Sequence, residues 1–100
     1  MDEAIFEHIP DRSRYEIRLG DSRIGLSTYR DEDGRRLFLH TEVDPDYQGH
    51  GLASKLIVFA LDDTRAAGKR IVALCPMVAA YVAKHHDYDD LLDSTDVAPS

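Results

Sequence analysis

The sequence predicts an α+β fold: a mixed, mostly antiparallel sheet with one strand–helix–strand crossover and a helix near the C-terminus. Three observations predict it. Short alternating segments punctuated by turn signals fill residues 3–43. The period then changes to that of a helix from Gly51 to Ala67, and a β-branched run, Arg70 to Leu74, follows the helix.

The first strands are residues 3–8 and 13–19 (SRYEIRL), parted by the turn-rich Pro10-Asp11-Arg12. Gly20-Asp21-Ser22 is a hairpin signal before a strand from Arg23 to Arg30, and Asp33-Gly34 is a second tight turn. Arg35 to Val43 (RRLFLHTEV), rich in β-branched and aromatic residues, is the strongest strand. Simple alternation assigns Phe38, His40 and Glu42 to one face of it and Leu37, Leu39, Thr41 and Val43 to the other. In the helix, Leu52, Leu56, Phe59, Ala60 and Ala67 fall on one face, with Ala53, Ile57 and Thr64 widening the stripe. Gly68 ends it as a left-handed cap would. Strand, helix and strand within about 40 residues form a βαβ unit, so strands 35–43 and 70–74 should run parallel. A last helix extends from Pro76 to about His85. Residues 1–92 read as a single domain and 93–100 as a disordered polar tail.

One hundred residues, 43% hydrophobic and 31% charged, suit one independently folding soluble domain. The longest apolar run, Leu56 to Leu61, is too short to span a bilayer. The acidic start MDEAIFEHIP is unlike a secretory signal, and the single cysteine, Cys75, cannot form an internal disulfide; both point to the cytoplasm. A net charge of −7 disfavours nucleic acid and anionic membranes as partners, and it tolerates a cationic amine.

The stretch DYQGHGLASKL, residues 46–56, puts two glycines at the mouth of the long helix, where each costs about 1 kcal/mol relative to alanine. The loop lies beyond the carboxyl end of strand 35–43, where open sheets bind ligands. The first free N–H groups and the positive end of the helix dipole make an anion site there, and Gly49 and Gly51 let phosphate oxygens approach. Gln48 can add a donor. The plain alternative is a flexible turn that binds nothing. No G-K-[ST] follows, which argues against a nucleotide-triphosphate loop.

Gln48-Gly49-His50-Gly51-Leu52-Ala53 resembles the Q/R-x-x-G-x-G/A acetyl-CoA motif of the GNAT acetyltransferase superfamily. With HTEV before it, the Cys75-Pro76 step after the next strand, and HHDYDDLL near the end, the chain is similar to a branch of minimal, single-domain GNAT-like proteins. The resemblance spans roughly residues 13–92. It implies a minimal GNAT fold that binds acetyl-CoA, with its pyrophosphate on residues 48–53 (Gln48, Gly49, His50, Gly51, Leu52 and Ala53). Pantetheine would pair with backbone near Val43, where two parallel strands splay. The chain departs from full-length GNAT enzymes on the acceptor side: it lacks the paired helices after the first strand, and the last two strands.

Candidate catalytic residues follow. Cys75 precedes a proline, so it is expected as the N-cap of the last helix, beside the anion loop. There its thiol could accept the acetyl group or protonate departing CoA; the alternative is a small buried hydrophobe. His40 and Glu42, two apart, could serve as base and orienter. A base helps, because a lysine-like amine of pKa near 10.4 is only about one part in a few thousand neutral at pH 7. His40 could equally be a satisfied core histidine, and Glu42 solvent-facing. Tyr81, in the last helix, matches by resemblance a tyrosine that protonates the thiolate, against a plain packing role. His85, His86, Asp87, Asp89 and Asp90 lack zinc-site spacing and read as a solvated helix end, so no metal is expected. The expected function is acetyl-CoA-dependent N-acetyl transfer to an amine of a small molecule, protein or peptide. The competing expectation is a non-catalytic CoA-binding sensor or partner module.

Overall fold

Alternation along Arg14–Leu19 sends Tyr15 and Ile17 to one side, and Arg14, Glu16 and Arg18 to the other. That division organises the whole sheet. A computed structural model describes residues 3–93. Five strands, β1 (Ile5–Ile9), β2 (Arg14–Leu19), β3 (Ser22–Glu32), β4 (Arg35–Val43) and β5 (Arg70–Ala73), lie side by side in sequence order. Neighbours from β1 to β4 are antiparallel, and β5 runs parallel to β4 after crossing through helix α1 (Leu52–Ala66). Helix α2 (Pro76–Lys84) follows. The mixed sheet with one crossover is the architecture the sequence predicts. β3 runs longer than its expected 23–30, because Asp33 and Gly34 both take positive φ and let the strands pair up to Glu32 and Arg35.

One buried cluster joins Tyr15, Ile17, Tyr29 and Phe38 of the sheet to Leu56, Ile57, Ala60 and Leu61 of α1 and to Val78 and Val82 of α2. The buried stripe on α1 is Leu56, Ile57, Ala60, Leu61 and Thr64, with Leu52, Ala53 and Phe59 packed partly buried beside it; of the expected face only Ala67 falls away. Ala67 is exposed because the helix has already closed: Gly68 N–H donates to the Arg65 carbonyl at 3.0 Å and Lys69 N–H to that of Thr64 at 3.1 Å. This pair of bonds is a Schellman cap. Among the described residues no helix is long and apolar enough to cross a membrane.

The five residues read as a solvated helix end are exposed, as expected, but all except His85 lie in a separate 3₁₀ helix, His86–Leu91, that docks on α1. Tyr88 is buried and its hydroxyl donates to Asp62 at 2.6 Å, while Arg65 grips Asp90 at 2.9 Å and the Asp87 carbonyl at 2.8 Å. An aromatic ring one residue past Asp87 supplies the apolar anchor. Asp93 N–H then donates to the Ile71 carbonyl at 2.8 Å, along the edge of β5. The remainder of the expected tail, residues 94–100, lies outside the described residues.

A polar network that composition and periodicity do not signal ties the C-terminal half of α1 to four strands. Arg36, its side chain buried, donates from Nε and Nη2 to the Asp31 carboxylate at 2.8 and 3.0 Å and from Nη1 to the Tyr15 hydroxyl at 2.6 Å. Tyr15 in turn donates to Asp63 on α1 at 2.8 Å. The guanidinium covers the Tyr29 ring at 4.2 Å. His8 stacks on Tyr15, its Nδ1 3.2 Å from Asp63 and its Nε2 2.6 Å from the Tyr29 hydroxyl. The network assigns a neutral imidazole protonated at Nδ1, with Tyr29 donating to Nε2. Burial pushes the His8 pKa down, with Asp63 opposing and Arg36 reinforcing. The hydrogen bond from Arg36 holds Asp31 below the usual carboxylate range. Burial, helped by Asp63, pushes the Tyr15 phenol above its ordinary value.

Arg36→Ala should lower the free energy of unfolding by about 2–3 kcal/mol in urea titrations. That is less than a fully buried pair would lose, because Asp31 and Asp63 are each more than a third exposed and can rehydrate. His8, neutral in the fold, contributes stability that is fully present above its unfolded pKa of about 6.5 and is lost as pH falls through its lower folded value. Unfolding free energies measured between pH 7.5 and 5 should therefore decline, and His8→Asn should flatten the upper part of that decline.

Candidate functional site

The site begins where β4 and β5 part. Their parallel register runs from Arg35 opposite Arg70 to Phe38 opposite Ala73, and Cys75 N–H makes one more bond to the Phe38 carbonyl at 2.7 Å. β5 then turns away into α2, whose first residue is Pro76, while β4 continues to Val43. Proline explains the departure, since it holds Cys75 extended (φ −72°, ψ 126°) and has no N–H to continue a ladder.

A bulge rotates the free half of β4. Tyr29 pairs with Phe38 but Thr28 with His40, so Leu39 is an extra residue. This corrects the expected alternation. Phe38, Thr41 and Val43 are all buried on the helix-covered face, and His40 and Glu42 point away from it. Asp44 N–H donates to the Ile24 carbonyl at 2.7 Å, which sets the phase of the antiparallel ladder. By that phase His40 and Glu42 exchange bonds with β3, and the backbone groups of Thr41 and Val43 face the fork. Gln48 Nε2 donates to one of them, the Val43 carbonyl, at 3.1 Å.

Beyond β4, Asp44 caps a 3₁₀ turn, Pro45–Tyr47, by accepting from Asp46 N–H at 3.0 Å. Gly49 and Gly51 then take φ of +85° and +73°, the left-handed conformation that glycine adopts without steric cost. Gly51 is the N-cap of α1 and no side chain caps it; the first helical bond is Lys55 N–H to the Gly51 carbonyl at 3.1 Å. The N–H groups of Leu52, Ala53 and Ser54 thus lack helical partners, at the positive end of a 15-residue helix. A Cβ built on either glycine would meet nothing within 4 Å, so the space before them is open.

Fork and helix terminus form one cleft of 620 Å³. Six of the seven residues expected to hold a cofactor line it: Val43, Gln48, Gly49, Gly51, Leu52 and Ala53. His50 is exposed and lies outside the lining. Thr41, Tyr47, Ser54 and Met77 line it too, and no sequence signal singled them out beyond their nearness to the motif and to the Cys75-Pro76 step. Glu42 lines the cleft with a side chain 60% exposed. His40, 63% exposed and 4.0 Å from Glu42, is a surface residue rather than the satisfied core histidine that was its alternative. Cys75 stands at the N-cap of α2, as expected, yet its thiol does not cap the helix. It is buried and donates to Thr41 Oγ1 at 3.5 Å. Tyr81 is farther along α2, stacked on His85 with ring centroids 4.2 Å apart. It lines a second groove between the helices that shares Ala53, Ser54 and Met77 with the cleft and continues to Lys84.

The family model for the GCN5-related N-acetyl-transferases matches residues 14–91, which include every element from β2 to the docked 3₁₀ segment. The chain belongs to that family. Two solved structures share the fold of this GCN5-related chain. One is a solution structure described as a GCN5-like N-acetyltransferase from Staphylococcus aureus, 20% identical, covering 90% of this chain and 88% of its own, with a TM-score of 0.70. The other is a ribosomal-protein-alanine N-acetyltransferase from Brucella melitensis biovar Abortus 2308, 21% identical, covering 90% of this chain and 68% of its own, with a TM-score of 0.56. No curated protein matches the sequence.

In this family member, Gly51→Ala should cost about 1–2 kcal/mol of stability from the left-handed backbone alone, since its Cβ meets open space. Urea unfolding would measure it. A cost well above that range would mean the loop is braced by contacts other than its φ.

Proposed function

We propose that the chain is an acetyl-CoA-dependent N-acetyltransferase that moves an acetyl group to an amine acceptor. One observation carries the reading: a single cleft joins an uncapped helix N-terminus, opened by two glycines, to a strand whose backbone has lost its partner. The first suits a pyrophosphate and the second an extended amide chain. In this reading the N–H groups of Leu52, Ala53 and Ser54 receive the pyrophosphate, beside Gln48 and Gly49. The backbone of Thr41 and Val43 pairs with pantetheine, and Val43 N–H polarises the thioester carbonyl. The groove past Met77 to Tyr81, Lys84 and His85 suits the nucleotide end, with a cation and a stacking surface. Tyr81 therefore has less claim to protonate the thiolate than Cys75, which is beside the fork. Glu42, at the cleft and largely solvated, is the nearest group to accept the amine proton, with His40 behind it. Because the Cys75 thiol is buried and bonded to Thr41, direct attack by the amine is favoured over a route through acetyl-Cys75.

Calorimetric titration with acetyl-CoA should give micromolar binding that Gly51→Glu abolishes, because its carboxylate would occupy and repel at the anion cradle. A panel of small amines, polyamines and peptides, read by mass spectrometry, should then yield an acetylated product. Binding without any product would leave a CoA-binding module, and no binding would sink both readings. Acetylated Cys75 trapped during turnover would overturn direct transfer.

A further inference from the structure

The cleft touches one buried hydroxyl, and that hydroxyl is the link to groups the cleft itself does not reach. Thr41 is 5% exposed and lines the cleft, whereas Ser27 (0%) and Cys75 (2%) do not line it. Ser27 Oγ lies 3.0 Å from Thr41 Oγ1 across the β3–β4 pair, and Cys75 Sγ donates to the same oxygen at 3.5 Å. A threonine hydroxyl has two lone pairs and one proton. Either hydroxyl of the Ser27–Thr41 pair can donate; in the arrangement where Ser27 and Cys75 both donate to Thr41, its lone pairs are occupied and its proton is free to turn toward the cleft.

We propose that Thr41 is a catalytic residue that relays the proton of Cys75 to the thiolate departing from acetyl-CoA, an inference that rests on the transferase reading above. As the amine nitrogen bonds to the carbonyl carbon, the carbon–sulfur bond breaks and its electron pair stays on sulfur. The Thr41 proton passes to that sulfur while the Cys75 proton passes to Thr41 Oγ1. A thiol donates and a thiolate accepts, so one thiol is exchanged for another and threonine never carries a full negative charge. The amine proton, taken up at Glu42 and released to water, returns to Cys75 along the same hydroxyl once the cleft empties. A cross-strand Ser–Thr pair that only stabilises the sheet would need no thiol beside it.

Cys75 is the single cysteine and acetyl-CoA has no S–H group, so the infrared S–H stretch of the acetyl-CoA complex reports on this thiol alone. In wild type the band should sit at the frequency of a hydrogen-bonded thiol and persist when acetyl-CoA binds. Thr41→Val should move it to that of a free thiol, and Thr41→Ser should restore it. With an amine that wild type acetylates, Thr41→Val should lower kcat by about 10²-fold, the scale of a lost general acid, with acetyl-CoA affinity within twofold of wild type. Adding Cys75→Ala to Thr41→Val should cost little more, and Thr41→Ser should recover most of the rate. Ser27→Ala removes the cross-strand bond that helps orient the Thr41 hydroxyl but leaves the relay's donor and acceptor in place, so its loss should be clearly smaller than that of Thr41→Val. The relay is overturned if Thr41→Val turns over normally, if its loss matches that of Ser27→Ala, or if the two single losses simply multiply. It also falls if the band does not respond to Thr41→Val. Absence of acetyl-CoA binding by wild type would remove the transferase reading itself, a failure distinct from any of these.

Discussion

The architecture turns on where β4 and β5 stop pairing. Up to Phe38 and Ala73 they form an ordinary parallel ladder; after the Cys75–Phe38 bond, Pro76 ends the exchange and β5 becomes a helix. Everything useful in the cleft follows from that parting. It leaves the backbone of Thr41 and Val43 unpaired where the N-terminus of α1 also arrives without a side-chain cap. Unpaired backbone is costly unless something binds it. Gln48 answers part of the demand by donating to the Val43 carbonyl.

The Leu39 bulge is the second condition. Were Leu39 paired in regular alternation rather than bulged, Thr41 would face solvent and His40 would turn inward beside Phe38. With the bulge, the buried face gains Thr41 and Val43 while His40 and Glu42 are left in water on the other face. A bulge near a site re-aims side chains at the cost of one unpaired position. Here it divides the fork into a buried wall carrying a hydroxyl and a thiol, and a wet side carrying a carboxylate and an imidazole.

Helix α1 serves both halves of the molecule. Its N-terminus faces the cleft, and its C-terminal half is fastened by Asp63 to Tyr15 and Arg36, by Asp62 to Tyr88, and by Arg65 to Asp90. These bonds hold the helix axially against the sheet, so the N–H groups at its other end keep a set distance from β4. Binding geometry at one end and polar cross-links at the other are in that sense one structural problem. The Arg36 network is satisfied internally, and among the described residues no side-chain polar atom is left buried and unbonded.

Local rules made the strand order, the βαβ crossover, the helix caps and the glycine loop legible in the sequence. Each depends on residues close together in the chain: Asp33-Gly34 for a hairpin, Gly68 for a cap, Cys75-Pro76 for a strand that ends in a helix. Six of the seven residues expected at the cofactor loop line the cleft for the same reason, being contiguous with the motif or adjacent to it. What depended on contact between distant segments was not. The Leu39 bulge comes from how β3 and β4 register against each other, and strict alternation along β4 alone gave the wrong faces. The meeting of Thr41, Ser27 and Cys75, 14 and 34 residues apart, exists only once the strands have paired. So does the assembly of His8, Tyr15, Tyr29, Asp31, Arg36 and Asp63. Residue patterns along the chain were enough to set which strands and long helices form and where backbone is left open. The tertiary structure alone decided which side chains face that opening, because facing is set by register and packing, which no local pattern encodes.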